Sequence, residues 1–151
     1  MLEQIKNPQV VKLYGKAEQI PLPDKSVDLI IASHILEHIP SLNLSLQEIQ
    51  RVLKDDGSIL VVVPCDPGLL WNTLTYFSPS RASLKKIGLD YNQVMQHEHV
   101  NTFQSCVRGL SKVFKITDMK YFPFAVTTHH LNIMCGITLK KMSPTSDTGK
   151  N

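Results

Sequence analysis

The sequence has few cysteines, no long apolar run and no basic tract, and each absence narrows its class. Cys65, Cys106 and Cys135 stand far apart with no C-x-x-C pair. They suit a reducing compartment and read as small buried apolar side chains. No apolar stretch approaches the ~20 residues of a membrane span. Formal net charge is only +3, and Lys85-Lys86 and Lys140-Lys141 are pairs rather than runs. Nothing therefore marks a nucleic-acid or membrane partner. Met1-Leu2-Glu3-Gln4 does not open a signal peptide, so a cytoplasmic location is the expectation. The length fits one domain with a real core, expected over residues 1–141. Residues 142–151 are polar and small, and read as a disordered tail.

Apolar patterning supplies the elements. Gln9 to Tyr14 is a short β-rich run. Val27 to Ala32 is almost continuously apolar, as in a strand buried on both faces. Ser45 and Glu48 have capping-box spacing at the start of a helix in which Leu46, Ile49 and Leu53 share a face, with Gly57 as its stop. Ser58 to Val63 is a second buried strand. Strand, helix, strand in that order implies a right-handed crossover and a parallel pair. Leu69–Tyr76 and Ser80–Lys86 read as short helices and Asp90–Asn101 as a long connection. Thr102 can cap a helix to about Val113, with Cys106, Leu110 and Val113 inward. Phe114–Tyr121 is a strand candidate. Leu131, Ile133, Cys135, Ile137 and Leu139 alternate as in a strand with two different faces.

Three segments carry a family pattern. They are Gly15-Lys16-Ala17-Glu18-Gln19-Ile20-Pro21-Leu22-Pro23-Asp24-Lys25-Ser26-Val27-Asp28, then Leu29 through Ile39, then Glu48-Ile49-Gln50-Arg51-Val52-Leu53-Lys54-Asp55-Asp56-Gly57 running into Ser58–Pro64. In order and spacing they resemble strands three to five, with their loops, of the class I S-adenosylmethionine (SAM)-dependent methyltransferases. Looser likeness at Lys86–Tyr91, Glu98–Asn101, Tyr121–Phe124 and Asn132–Lys140 is to bacterial methyltransferases found with cell-surface polysaccharide genes. The resemblance implies an α/β chain, the C-terminal portion of a Rossmann-like fold with a mainly parallel sheet. It implies methyl transfer from SAM to a small-molecule or sugar acceptor.

In such folds the cofactor lies across the carboxyl ends of parallel strands. By resemblance, Lys16 and Ala17 would lie near the adenine, and Ala32 and Ser33 near the methionine part. His34 would be the catalytic group, a general base for an acceptor hydroxyl. Trp71, Tyr91, His97 and His99 would line the acceptor pocket. Glu37-His38 occupies the place of a metal-binding pair in ubiquinone-pathway relatives; hydrogen bonding that orients the loop is the preferred reading, and no metal is expected.

The departures are as informative. An acidic residue usually stands where this chain has Lys16, and lysine cannot accept a hydrogen bond. Asp55-Asp56 replaces the usual Pro-Gly before Gly57. The G-x-G loop and the ribose-binding acid that precede strand three in the family are not found in these residues. The chain alone is therefore expected to bind SAM weakly, with a second chain able to complete the sheet. The alternative is a non-catalytic remnant or binding module of the same ancestry.

Overall fold

A computed structural model describes residues 7–142; the expected tail lies almost wholly outside them. The elements are β1 (Val27–Ser33), α1 (Leu42–Val52), β2 (Leu53–Pro64), α2 (Leu69–Tyr76), α3 (Pro79–Lys86), α4 (Tyr91–Glu98), α5 (Phe103–Val113), β3 (Phe114–Phe122) and β4 (Met134–Lys141), with short 3-10 turns at Leu36–His38 and His129–Leu131. One four-stranded sheet runs β1-β2-β4-β3.

The crossover from β1 through α1 to β2 is parallel, as the order of apolar segments requires. Both pairings of β4 are antiparallel. The sheet is therefore mixed in its pairing, although β1, β2 and β3 point the same way and β4 alone is reversed. The chain returns from β3 to β4 by a connection too short for a parallel crossover.

One face of the sheet is the core. Ile30, Ile59, Leu139 and Ile116 stand in register across it, followed by Ala32, Val61, Ile137 and Met119. Leu42, Leu46 and Ile49 of α1 and Phe103, Cys106 and Leu110 of α5 cover that face. Their spacing is that of a helical stripe. The two helices approach closely at Gly109, where a Cβ would lie 3.1 Å from Leu42 Cδ2. Thr102 caps α5 as expected, its Oγ1 accepting from the Ser105 N–H at 3.2 Å.

Six expectations are corrected. Val27–Ala32 is not buried on both faces: Leu29 and Ile31 are 54% and 61% exposed, because the core-forming helices lie on one side only. Gln9–Tyr14 forms no strand: it pairs with no strand among the described residues, and the free edge of β1 is left unfilled by it. The helix starts at Leu42, not Ser45, and the capping box is absent. Ser45 Oγ donates to the Ser41 carbonyl, while Glu48 is taken by Ile20 N–H and Arg51. Gly57 does not stop that helix; it lies within β2, where the pairing slips between Val27 and Leu29 and a Cβ would meet Leu53 Cδ1 at 2.7 Å. Asp90–Asn101 is not simply a connection, because Asp90 Oδ1 accepts from Gln93 N–H at the start of α4. Of the alternating run, Cys135, Ile137 and Leu139 are buried in β4, whereas Leu131 lies in the turn before it and is exposed.

Candidate active site

The carboxyl ends of β1 and β2 lie side by side, with Ser33 paired to Val62. Ala32 is buried beneath this end, and Ser33 points to the uncovered side of the sheet. His34 follows in the left-handed region, φ 52°, while its N–H still donates to the Val62 carbonyl at 2.9 Å. That conformation is uncommon for a residue with a side chain and here turns the chain into Leu36–His38. The imidazole is about half exposed, and its Nδ1 lies 3.3 Å from Glu37 Oε1.

Glu37 is only 2% exposed, and its Oε2 has no hydrogen-bond partner among the described residues. A buried carboxylate is costly unless compensated. Here Oε1 faces two imidazoles, His34 and, at 4.0 Å, His38. His38 Nδ1 is 2.7 Å from the Glu98 carbonyl, and its ring meets that of His99 edge-on with centroids 5.0 Å apart. Asn101 donates to the Leu36 and Ile39 carbonyls, which fixes the same turn. Glu37 and His38 thus sit in an organised histidine network. No group of three ligand-type side chains among the described residues is arranged to hold a metal.

Beyond His99 lies a cleft of about 410 Å³ lined by Asp66, Pro67, Trp71, Asn72, Thr75, Tyr91, Met95, His99 and Thr102. Trp71, Tyr91 and His99 are thereby brought together in one cleft. His97 is exposed on α4 and does not line this cleft. Asp66 was missed; its Oδ2 is 2.9 Å from His99 Nδ1. Its signal was position, one residue past the strand-ending Pro64-Cys65, where open α/β sheets place ligands.

Lys16 and Ala17 lie apart, on a turn closed by the Lys16–Gln19 bridge, where Lys16 is exposed and Ala17 packs against the core. Arg51 fastens the following loop to α1, donating to Glu48, Asp24 Oδ1 and the Leu22 and Ile20 carbonyls at 2.6–2.9 Å. Arg51, then the Ile20 N–H, hold the Glu48 carboxyl below the usual carboxylate range. A carboxyl lowered in the fold stabilises it fully above its unfolded value and loses that effect as pH falls through the lowered one. The urea midpoint should therefore fall from about pH 6 to about pH 3, across the carboxylate range. Glu48→Gln should flatten part of that slope; an unchanged profile would show that the loop clasp adds nothing.

Cys65, Cys106 and Cys135 are buried and free, as expected. Burial pushes the first two thiols up to about 12 and the third to about 11, which makes them poor nucleophiles. No helix among the described residues is long and apolar enough to cross a membrane.

A methyltransferase-domain family model matches residues 1–61. The chain is 32% identical over 105 residues to malonyl-[acyl-carrier protein] O-methyltransferase of Yersinia pestis, covering 68% of this chain and 34% of that protein. It is 40% identical over 58 residues to the uncharacterized methyltransferase YcgJ of Bacillus subtilis, 36% of this chain and 23% of that one. Over the matched residues the chain is thus similar to methyltransferases. A crystal structure of a SAM-dependent methyltransferase from Thermotoga maritima superposes with a TM-score of 0.59 at 17% identity, over 86% of this chain and 63% of that chain, which speaks for the fold. The chain thus spans about a quarter to a third of the length of these two curated relatives. In open α/β sheets, ligands bind at the carboxyl ends of the strands, the end at which Ser33 and Val62 stand paired.

Proposed function

We propose that this chain supplies the acceptor side and part of the donor side of a SAM-dependent methyltransferase acting on a small-molecule or sugar acceptor. One observation carries the reading. His34, at the carboxyl end of β1, is linked through Glu37 and His38 to a cleft of acceptor size at the carboxyl end of β2. Methyl transfer needs a nucleophile in line with the methyl donor, and positioning supplies much of the rate.

The residues fit the donor in part. Ala32, Ser33 and His34 would meet its methionine end, where an activated methyl is supplied when SAM is bound. Ala17 offers a half-buried wall for an adenine. Lys16 cannot accept from an adenine amino group. His34 would take the acceptor proton, with Glu37 orienting its ring. The free edge of β1 supports completion of the sheet by a further segment or a second chain, and the exposed Leu29, Ile31 and Leu60 beside it support a covering layer on that face; we place the chain in the cytoplasm.

A second reading, a non-catalytic module, is favoured by the same open edge and by Lys16. The test compares the 151-residue chain with a version extended by a segment bearing a G-x-G turn and a ribose-binding acid. Methyl-labelled SAM is supplied with hydroxylated small molecules, and products are read by mass spectrometry. Label transferred by the extended protein supports the methyltransferase reading. SAM binding without transfer to any acceptor leaves the binding module.

A further inference from the structure

We propose that the cleft between α2 and α4 is a subsite for an uncharged, hydroxyl-bearing ring, with Asp66 the positioning residue that sets the tautomer of His99 toward that hydroxyl. The identity of the ring as methyl acceptor rests on the methyl-transfer reading above; the binding itself does not.

The cleft has the volume of a small-molecule site, within the usual range of roughly 300–1,000 Å³. Trp71 and Tyr91 give it aromatic walls on two different helices. Such faces stack on planar or sugar rings and hold them through apolar contact. Its described lining contains one carboxylate, Asp66, and no lysine or arginine. Among the described residues, a carboxylate ligand would therefore meet like charge with no lysine or arginine to compensate it, whereas an uncharged ring would not. Asn72 adds an amide at the rim.

The polar floor is built rather than incidental. The Asp66 carbonyl accepts from Phe103 N–H at 2.8 Å, which pins it to the start of α5. The His99 N–H donates to the Met95 carbonyl at 2.7 Å, and its ring is held between those of His38 and Trp71. Both side chains are mostly buried. A carboxylate can only accept, so the 2.9 Å contact requires the proton on Nδ1 of His99. In the neutral ring this leaves Nε2 with a lone pair, and among the described residues Nε2 makes no hydrogen bond. An imidazole so fixed accepts from a hydroxyl and orients its oxygen, as outer partners orient histidines elsewhere.

The experiment is solution NMR on the isotopically labelled 151-residue chain, which needs no SAM. Long-range proton–nitrogen spectra should show His99 as the Nδ1–H tautomer in the wild type, and Asp66→Ala should abolish that preference. Methyl α-D-glucopyranoside and 4-methylphenol probe the two sources of a hydroxylated ring; malonate probes a carboxylate. At least one ring should shift the Trp71 indole and His99 signals saturably, and Asp66→Ala should weaken it by roughly fivefold or more. Malonate should leave those signals in place. An Nε2–H tautomer in the wild type overturns the role of Asp66 even if the variant does not fold. Saturable malonate binding, or no response to either ring, overturns the subsite. Ring binding without methyl transfer by the extended protein would sink the functional reading and leave the subsite standing.

Discussion

The purified 151-residue chain should bind SAM about a hundredfold or more weakly than the same chain extended by a segment bearing a glycine-rich turn and a ribose-binding acid. The residues present would meet the donor only at its methionine end, around Ala32–His34, and along the wall at Ala17. Hydrogen bonds to charged groups contribute about 1.5–3 kcal/mol each. Two such contacts, at 1.4 kcal/mol per factor of ten, account for the difference. The open edge of β1 adds to it, because a backbone without a neighbouring strand does not hold its loops in one geometry. Residues 7–14 do not fill that edge. Calorimetry on both proteins, with SAM and with S-adenosylhomocysteine, is the check. Micromolar affinity from the monomeric 151-residue chain would show that the missing contacts matter little.

In the extended, active protein, His34→Ala should lower kcat by about 10²–10⁴, the usual range for a positioned proton acceptor. SAM affinity should change less than threefold, roughly the effect of an ordinary surface substitution. The split follows from placement. His34 stands past the end of β1 with its ring against Glu37, so truncation removes the imidazole without touching the core stripe through Ile30 and Ala32. Its left-handed backbone, φ 52°, disfavours alanine somewhat, and His34→Asn is the companion variant because asparagine tolerates that region. Both variants should be equally slow at saturating acceptor. Full turnover in either would remove His34 from the chemistry, and parallel losses in kcat and SAM affinity would mark it as structural.

The sequence by itself determined the β1–α1–β2 unit, because two apolar runs joined by an amphipathic helix admit one parallel, right-handed arrangement. It also determined the cap at Thr102 and the alternation through Cys135, Ile137 and Leu139, whose causes lie within a few residues of chain. Trp71, Tyr91 and His99 stood out in the sequence by residue type alone, and only the fold sets them around one cleft. What the tertiary structure decided involved competition between distant partners. Glu48 has the spacing to cap a helix at Ser45, yet Arg51 and Ile20 claim it, and the helix starts earlier. Leu29 and Ile31 have the apolarity of doubly buried strand residues, but burial depends on a second layer, and the core-forming helices cover one face only. Gln9–Tyr14 has strand composition without a strand, because a β-ladder is a property of two segments rather than one. Asp66 joined the site for the same reason. An isolated aspartate after a strand carries no role until folding brings a histidine from 33 positions further along the chain to within hydrogen-bonding distance.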